Sequence, residues 1–330
     1  MDRASQTKTI WLSPSRLEIA QDCLYKWNGL YGEGAQRVTP SANATAATAE
    51  AGAEAAAPPH EGGGEAAVQS EEAATAPHSQ ALAVGIAAHA TLARLFAPGK
   101  QEKGKDAVEP VGQEGEGEWE DYLRSLVLAS LPSEGEAGRY DEHYVRDTVF
   151  NLVKYAYPRV KPAGKVLGVE TYMSCKVQIG GYRVQLTCQA DRLVLMEDGT
   201  LEILDYKTNS RGTVLSPNLL AAHLPSYLYF VTSWHNYRRH PLVRNVVVSQ
   251  VNLVSLQSSV AHYDQAQIIR NRQCLRECIE ALASGPYDPT PNPKCRWCQL
   301  RATCPAWQDD QEFNLDDLDD IDEWRRRESA

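Results

Sequence analysis

The chain has 330 residues, 43% of them hydrophobic, enough to bury one large core or two small ones. No apolar run approaches the length of a membrane-spanning helix, and Met1-Asp2-Arg3-Ala4-Ser5 lacks the apolar core of a signal peptide, so a cytoplasmic protein with no membrane partner is expected. The net charge of −10 does not exclude a nucleic-acid partner, because nine acids and no base lie between Asp309 and Glu323, which leaves −1 for everything else.

Residues 13–31 read as one helix, with Ser13 able to cap it, capping-box spacing in Ser15-Arg16-Leu17-Glu18, and Leu17, Ala20, Leu24 and Trp27 at helical intervals. Residues 33–82 are rich in Ala, Gly, Glu, Ser, Thr and Pro and nearly devoid of large apolar side chains. Such a segment buries too little to offset its ordering entropy and reads as a disordered insertion. The polar stretch 99–117 is similar. Between them, residues 85–96 read as a short helix with Ile86, Leu92 and Phe96 as core candidates, and residues 118–131 and 139–157 as further helices.

The texture then changes to strands. Met173, Cys175, Val177 and Ile179 alternate with polar residues, Gly180-Gly181 marks a hairpin turn, and Tyr182, Val184, Leu186, Cys188 and Ala190 alternate on the return. A turn at Glu197–Thr200 leads into Leu201–Lys207. A helix over 217–235, a strand over 244–255 and a helix over 263–284 follow, then a Pro- and Cys-rich segment and the acidic tail.

The strongest chemical signal is Leu201-Glu202-Ile203-Leu204-Asp205-Tyr206-Lys207-Thr208. Strand side chains alternate faces, so Asp205 and Lys207 share one side at the end of an apolar strand. Asp191 lies near the end of the preceding strand, facing away from its apolar side with Arg183, Gln185, Thr187 and Gln189. Neighbouring strands are about 4.8 Å apart, so Asp191 and Asp205 are placed to share a divalent cation. Phosphodiester hydrolysis needs such a set: carboxylates bind Mg2+ or Mn2+, and a lysine orients water or stabilises developing charge. Asp-x-Lys is short, and on its own it also fits a strand end with a surface ion pair.

The cysteines give a second constellation. Cys295-x2-Cys298-x5-Cys304-Pro305 packs three thiols into a Pro-rich segment, a metal-ligand pattern. Three thiols leave one ligand position open; Cys274 and Cys278, four residues apart on one helix, could supply it but also read as small buried hydrophobes. Cys175 and Cys188 sit on the apolar faces of their strands and read as core. Spacing alone does not separate iron–sulfur from zinc.

The order Gly85-x3-His89, a strand acid Glu170, Gln189-Ala-Asp191-Arg-Leu, Ile203-Leu-Asp205-Tyr-Lys207-Thr and a downstream Tyr227 helix resembles the RecB/AddB nuclease domain and the CRISPR-associated adaptation exonucleases of the PD-(D/E)XK superfamily. The likeness runs from Ser13 to Pro305, interrupted by the two insertions. It implies an α/β restriction-endonuclease-like core, a mixed sheet flanked by helices, over residues 83–284. His89, Asp191, Asp205 and the carbonyl of Tyr206 would be metal ligands for Mg2+ or Mn2+, Lys207 the catalytic lysine, and Glu170 and Tyr227 supporting residues. His223 stands where the family commonly has glutamine, and it retains the ability to hydrogen-bond phosphate or water. The segment Leu17–Lys26 resembles the first-cysteine motif of the family's iron–sulfur members, with Leu24 in place of the usual proline. The likeness implies a 4Fe-4S cluster on Cys23, Cys295, Cys298 and Cys304, stapling the N-terminal helix (1–32) to the cysteine segment (285–308), with the acidic tail at 309–330.

The implied activity is metal-dependent DNA hydrolysis, exonucleolytic, on ends or single-stranded regions, in DNA repair or CRISPR adaptation. No P-loop motif is present, so a motor would come from a helicase or CRISPR partner. Two alternatives are an inactive iron–sulfur or zinc DNA-binding subunit and a zinc-stapled hydrolase acting on something other than DNA. The tail, where Phe313, Leu315, Leu318, Ile321 and Trp324 interleave with acids, reads as solvated chain, or else as a docking peptide or a DNA mimic covering the active-site groove.

Overall fold

The computed structural model describes residues 9–32, 77–98, 116–209 and 211–308. Most of the first insertion, the polar stretch 99–115 and the acidic tail lie outside the described residues. The elements in chain order are β1 (Thr9–Leu12), α1 (Pro14–Asp22), α2 (Leu24–Tyr31), α3 (Pro77–Leu95), α4 (Glu116–Leu128), α5 (Glu134–Ala137), α6 (Glu142–Val160), β2 (Lys165–Ile179), β3 (Tyr182–Leu195), β4 (Thr200–Lys207), α7 (Pro217–Ala222), α8 (Leu224–Tyr237), β5 (Asn245–Asn252), β6 (Ser258–Ala261), α9 (Gln265–Ser284), two 3-10 turns (Pro293–Trp297 and Arg301–Thr303) and α10 (Pro305–Gln308).

Two compact units result: Met1–Ser15 with Pro40–Arg276, and Arg16–Thr39 with Glu277–Ala330. The larger is built on one mixed six-stranded sheet, in which β1, β3, β4, β5 and β6 are successive neighbours and β2 also pairs with β3. β4 and β5 run parallel at its centre, and β3–β4 and β5–β6 are antiparallel. Both faces of β4 and β5 are covered. Leu204, Tyr206, Val251 and Leu253 pack with residues of α3, α4 and α6, while Leu201, Ile203, Val246 and Val248 pack with residues of α7. Burial on both faces explains the nearly continuous apolar runs of these strands. Leu193, Leu201 and Ile203 are fully buried, each worth about 1.5–3 kcal/mol in area removed from water.

The β2–β3 hairpin is longer than its alternation alone suggests, because it continues past the core. Its inner face carries buried Met173, Cys175, Val184, Leu186 and Cys188, with Cys188 Sγ 2.8 Å from Thr232 Oγ1 of α8. Cys175 and Cys188 are thus core residues, and burial pushes the Cys188 thiol up to about 12.

Several boundaries differ from the sequence expectation for identifiable reasons. The helix expected over 13–31 breaks at Cys23, whose backbone is extended (φ −166°, ψ 114°) and which caps α2. The helix expected over 217–235 breaks at His223, because Pro225 has no N–H to donate to the carbonyl four residues back and its ring clashes with that carbonyl, whereas it fits the first turn of a new helix, α8. Helix α3 begins at Pro77, so its first turn lies inside the range read as insertion. β1 and β6, four residues each, were not anticipated; each is too short for periodicity and is held by pairing to β3 and β5.

Candidate active site

β3 and β4 pair only over Arg192–Leu195 and Leu201–Leu204. Beyond Arg192 the ladder stops, and the Asp191 carboxylate supplies the acceptor that a regular ladder would offer: Tyr206 N–H donates to Asp191 Oδ2 at 2.6 Å. The parting of the two strands opens the space in which the polar residues gather.

His89 arrives from α3. Gly85, one turn earlier, lies so close to the end of β4 that an added Cβ would meet Thr208 Oγ1 at 3.3 Å. The Gly-x3-His spacing therefore lets the helix approach the strand and puts His89 on the same face. Its Nδ1 is 3.3 Å from Asp191 Oδ1, and its ring meets that of Tyr206 edge-on at 5.9 Å. Burial opposes a charge on His89, yet the charge and hydrogen bond of Asp191, with Glu170 and Asp205, raise it to about 9.

Glu170 arrives from β2 through an irregular stretch. The β2–β3 register shifts between Val166 and Gly168, and Glu170 itself has φ +44°. A non-glycine residue at positive φ is strained on the order of 1 kcal/mol, and such strain gathers at functional sites. Gln189 Nε2 donates to Glu170 Oε2 at 2.7 Å and holds the carboxylate. Burial and then the charge of Asp191 raise the Glu170 carboxyl above its ordinary range.

His89, Glu170 and Asp191 each place one ligand atom within 4.8 Å of the others. Asp205 stands beside this group, close enough for its charge to act on His89. Its Oδ2 receives Lys207 Nζ at 2.9 Å and Gln250 Nε2 at 3.3 Å. The side chains of His89, Asp191, Asp205 and Lys207 retain 15%, 11%, 16% and 28% exposure, so the site is partly desolvated but reachable from solvent. A nitrogen and carboxylate oxygens suit a divalent cation, and the excess of carboxylates supplies the charge that would hold it.

His223, at the start of α8, bonds Ser226 Oγ through Nδ1 at 3.0 Å; burial, then the charge of Lys207, lowers its pKa and keeps it neutral. Tyr227 is seated in an aromatic cluster, its ring 5.9 Å from both Phe230 and Tyr263, and it bonds no carboxylate of the site among the described residues. Sequence reasoning did not single out Gln189, Gln250 or Arg192 as site residues. Gln250 is detectable as a polar interruption in the Val-rich β5. Arg192, 2% exposed, is sunk in the core on the side of α3 and α6, where Nη1 donates to Val160 O at 2.5 Å and the guanidinium lies 4.5 Å from the Phe96 ring centre.

The smaller unit holds the cysteine constellation. Cys23, Cys295, Cys298 and Cys304 line one cavity together with Lys26, Lys294 and Arg301. Backbone N–H groups already point at the sulfurs: Lys26 and Thr290 donate to Cys23 Sγ at 3.5 and 3.4 Å, and Asn292 donates to Cys295 Sγ at 3.2 Å. Asn292 Nδ2 and Lys294 Nζ reach Asp22 O and Oδ2 at 3.2 and 2.9 Å, fixing the segment around Cys23. Cys274 is exposed and Cys278 half-buried, and neither lines this cavity.

Fold and site together define a mixed α/β domain with a carboxylate–histidine group where its central strands part. The chain belongs to the PD-(D/E)XK nuclease superfamily, whose family model matches residues 64–305. No curated protein matches the sequence. Among solved structures, one described as the crystal structure of SSO0001 is similar at 14% identity, covering 58% of this chain and 79% of that one, with a TM-score of 0.31. No helix among the described residues is long and apolar enough to cross a membrane.

Proposed function

We propose that the protein is a Mg2+- or Mn2+-dependent DNA nuclease, acting as an exonuclease on ends or single-stranded regions. The observation that carries this reading is the convergence of His89, Glu170 and Asp191 beside the Lys207–Asp205 pair in a superfamily of nucleases. A bound divalent cation would supply Lewis-acid polarisation of the phosphate and an activated water. His89, Glu170 and Asp191 would hold it, with Asp205 and the Tyr206 carbonyl completing the set. Lys207 orients the attacking water and offsets charge on the phosphoryl oxygens. Neutral His223 donates a hydrogen bond to a phosphate oxygen, and Tyr227, whose N–H donates to His223 O at 3.0 Å, fixes the start of α8 beneath it. A helicase or CRISPR partner would supply any motor, in repair or adaptation.

The same reading assigns a 4Fe-4S cluster to Cys23, Cys295, Cys298 and Cys304. Backbone N–H groups aimed at Cys23 Sγ and Cys295 Sγ suit thiolate ligands of such a group.

The test is hydrolysis of end-labelled DNA, with free and blocked ends, with Mn2+ and with EDTA. Wild type degrades free-ended DNA only with metal, and Asp205→Ala and Lys207→Ala abolish the reaction. Undiminished cleavage by both folded variants sinks the assignment.

A further inference from the structure

The outer face of the β2–β3 hairpin runs, without interruption, into the metal-ligand group. In the register of the sheet Tyr172 lies opposite Gln189, Lys176 opposite Gln185, and Gln178 opposite Arg183, and on the other edge of β3 Trp11 of β1 lies opposite Gln185. Paired residues share a face, so Trp11, Tyr172, Lys176 and Arg183 stand on one side of the sheet with Gln189, the residue that holds Glu170. The reverse side carries Met173, Cys175, Val184 and Leu186 and is buried. On the outer side Trp11 is 53% and Tyr172 64% exposed, and Lys176 and Arg183 are exposed. The other positions of this face are Thr, Ser and Gln; it carries no acid until Glu170 and Asp191, in a chain of net charge −10. From Gln189 to Arg183 the track is about 20 Å long at about 3.3 Å per residue.

We propose that this sheet face is the binding track for single-stranded DNA, feeding the strand along β3 into the metal-ligand group. The inference rests on the nuclease reading for the chemistry at the end of the track. Exposed Trp and Tyr rings on flat strands offer stacking platforms that only unpaired bases can reach, and bases of any identity suffice. Lys176 and Arg183 match the phosphate charge. Tyr172, two residues from Glu170, stacks the base nearest the reacting phosphodiester. Trp11, about 13 Å further along β3 and about 10 Å across it, on the other edge of the strand, stacks a base beyond it. The occupant is a single strand rather than a duplex, because a duplex hides its base faces.

The experiment uses the full-length protein in EDTA with a fluorescein-labelled oligothymidylate and reads anisotropy. Trp11→Ala and Tyr172→Ala each weaken binding about tenfold, Trp11→Phe and Tyr172→Phe keep wild-type affinity, and the Leu variants at both positions behave like Ala. Lys176→Glu/Arg183→Glu lowers affinity and flattens its salt dependence, which keeps the idea testable if an aromatic variant fails to fold. Photo-crosslinking to 5-iododeoxyuridine oligonucleotides should map to Trp11 and Tyr172, and unlabelled duplex should compete poorly. Wild-type affinity in both Ala variants, wild-type affinity in both Leu variants, or crosslinks confined to other segments would overturn the proposal. Hydrolysis of bis(4-nitrophenyl) phosphate with Mn2+ separates the two readings. It should be unchanged in the Trp11 and Lys176/Arg183 variants, which lie away from the reacting phosphodiester, and its absence in wild type counts against the nuclease chemistry while the binding measurements still decide the track.

Discussion

Gln189 offers a test of how the carboxylate group is held. Its Nε2–H donates to Glu170 Oε2 at 2.7 Å, an amide-to-carboxylate bond. Hydrogen bonds to charged groups contribute about 1.5–3 kcal/mol net. At about 1.4 kcal/mol per tenfold, that is roughly 10- to 150-fold in an equilibrium constant. Loss of a partner that orients a metal ligand costs a comparable 10- to 100-fold or so. Gln189 is half-buried, so water can replace part of the bond, and the expected loss lies near tenfold. The perturbations are Gln189→Ala and the similarly sized Gln189→Leu, which removes the donor. The assay is Mn2+ titration of metal-free full-length protein by electron paramagnetic resonance, with no DNA present, so that any effect on strand binding stays out of the measurement. Both variants should stay folded, since one half-buried hydrogen bond is worth about 1 kcal/mol of stability. Wild-type Mn2+ affinity in both would refute the view that Gln189 positions Glu170.

Four further outcomes are expected, three at the carboxylate group and one at the cysteine cavity. His89, raised to about 9 from an ordinary 6.5, carries a proton at pH 7.5 that a metal must displace, so Mn2+ binding should release about one proton, measured by calorimetry in buffers of different ionisation enthalpy. The sign for stability is equally definite. A raised histidine stabilises the metal-free fold fully below 6.5 and loses that contribution as pH rises through 9, so the urea midpoint in EDTA should fall across this window. Glu170→Gly and Glu170→Ala both remove the carboxylate and should both lose Mn2+ affinity, but only Ala keeps a side chain at positive φ, so metal-free Glu170→Ala should be about 1 kcal/mol less stable than Glu170→Gly, and an equal or higher urea midpoint for the Ala variant would contradict the strain argument. Cys23→Ser should lower iron and the broad visible absorbance of anaerobically purified protein, whereas Cys175→Ser, in the core, should leave both; stoichiometric zinc without iron would reject the cluster.

Much of the larger unit is legible in the sequence where a period of two or of 3.6 persists. The β2–β3 alternation, the apolar run ending in Asp205-Tyr-Lys207 and the Gly85-x3-His89 helix all follow from local pattern. What stays hidden depends on partners far away in sequence. β1 exists because Thr9–Leu12 finds a parallel edge on β3, which no four-residue pattern can announce. The positive φ of Glu170 is imposed by the shifted register of β2 rather than by its own preference. Asp191 and Asp205 read alike as strand-end acids, yet the first joins His89 and Glu170 while the second bonds Lys207 and Gln250. The break at Cys23 is masked by helical periodicity on both sides of it. Its extended backbone frees the thiol to cap α2 and face the cavity.

Gathering three carboxylates at one strand end costs electrostatic free energy, and the structure shows how the metal-free chain tolerates it. Asp191 is tied on both oxygens, one to His89 and one to the Tyr206 N–H, so its charge is spread over a proton-bearing ring and a backbone dipole. Asp205 is bonded to Lys207 and Gln250. Glu170 is pushed up by its burial and then by the charge of Asp191, which the nearby His89 and the Gln189 amide offset only in part. The three acids are therefore not equivalent. A cation entering from solvent would displace the His89 proton, while Asp191 keeps its bond to the Tyr206 N–H and Asp205 its bonds to Lys207 and Gln250. The backbone bond to Asp191 also couples ligand and scaffold. Losing that carboxylate would free the Tyr206 N–H at the point where β3 and β4 part, and with it the alignment of Asp205 and Lys207 on either side. The break in the β3–β4 ladder thus both opens the site and makes one ligand part of the backbone architecture around it.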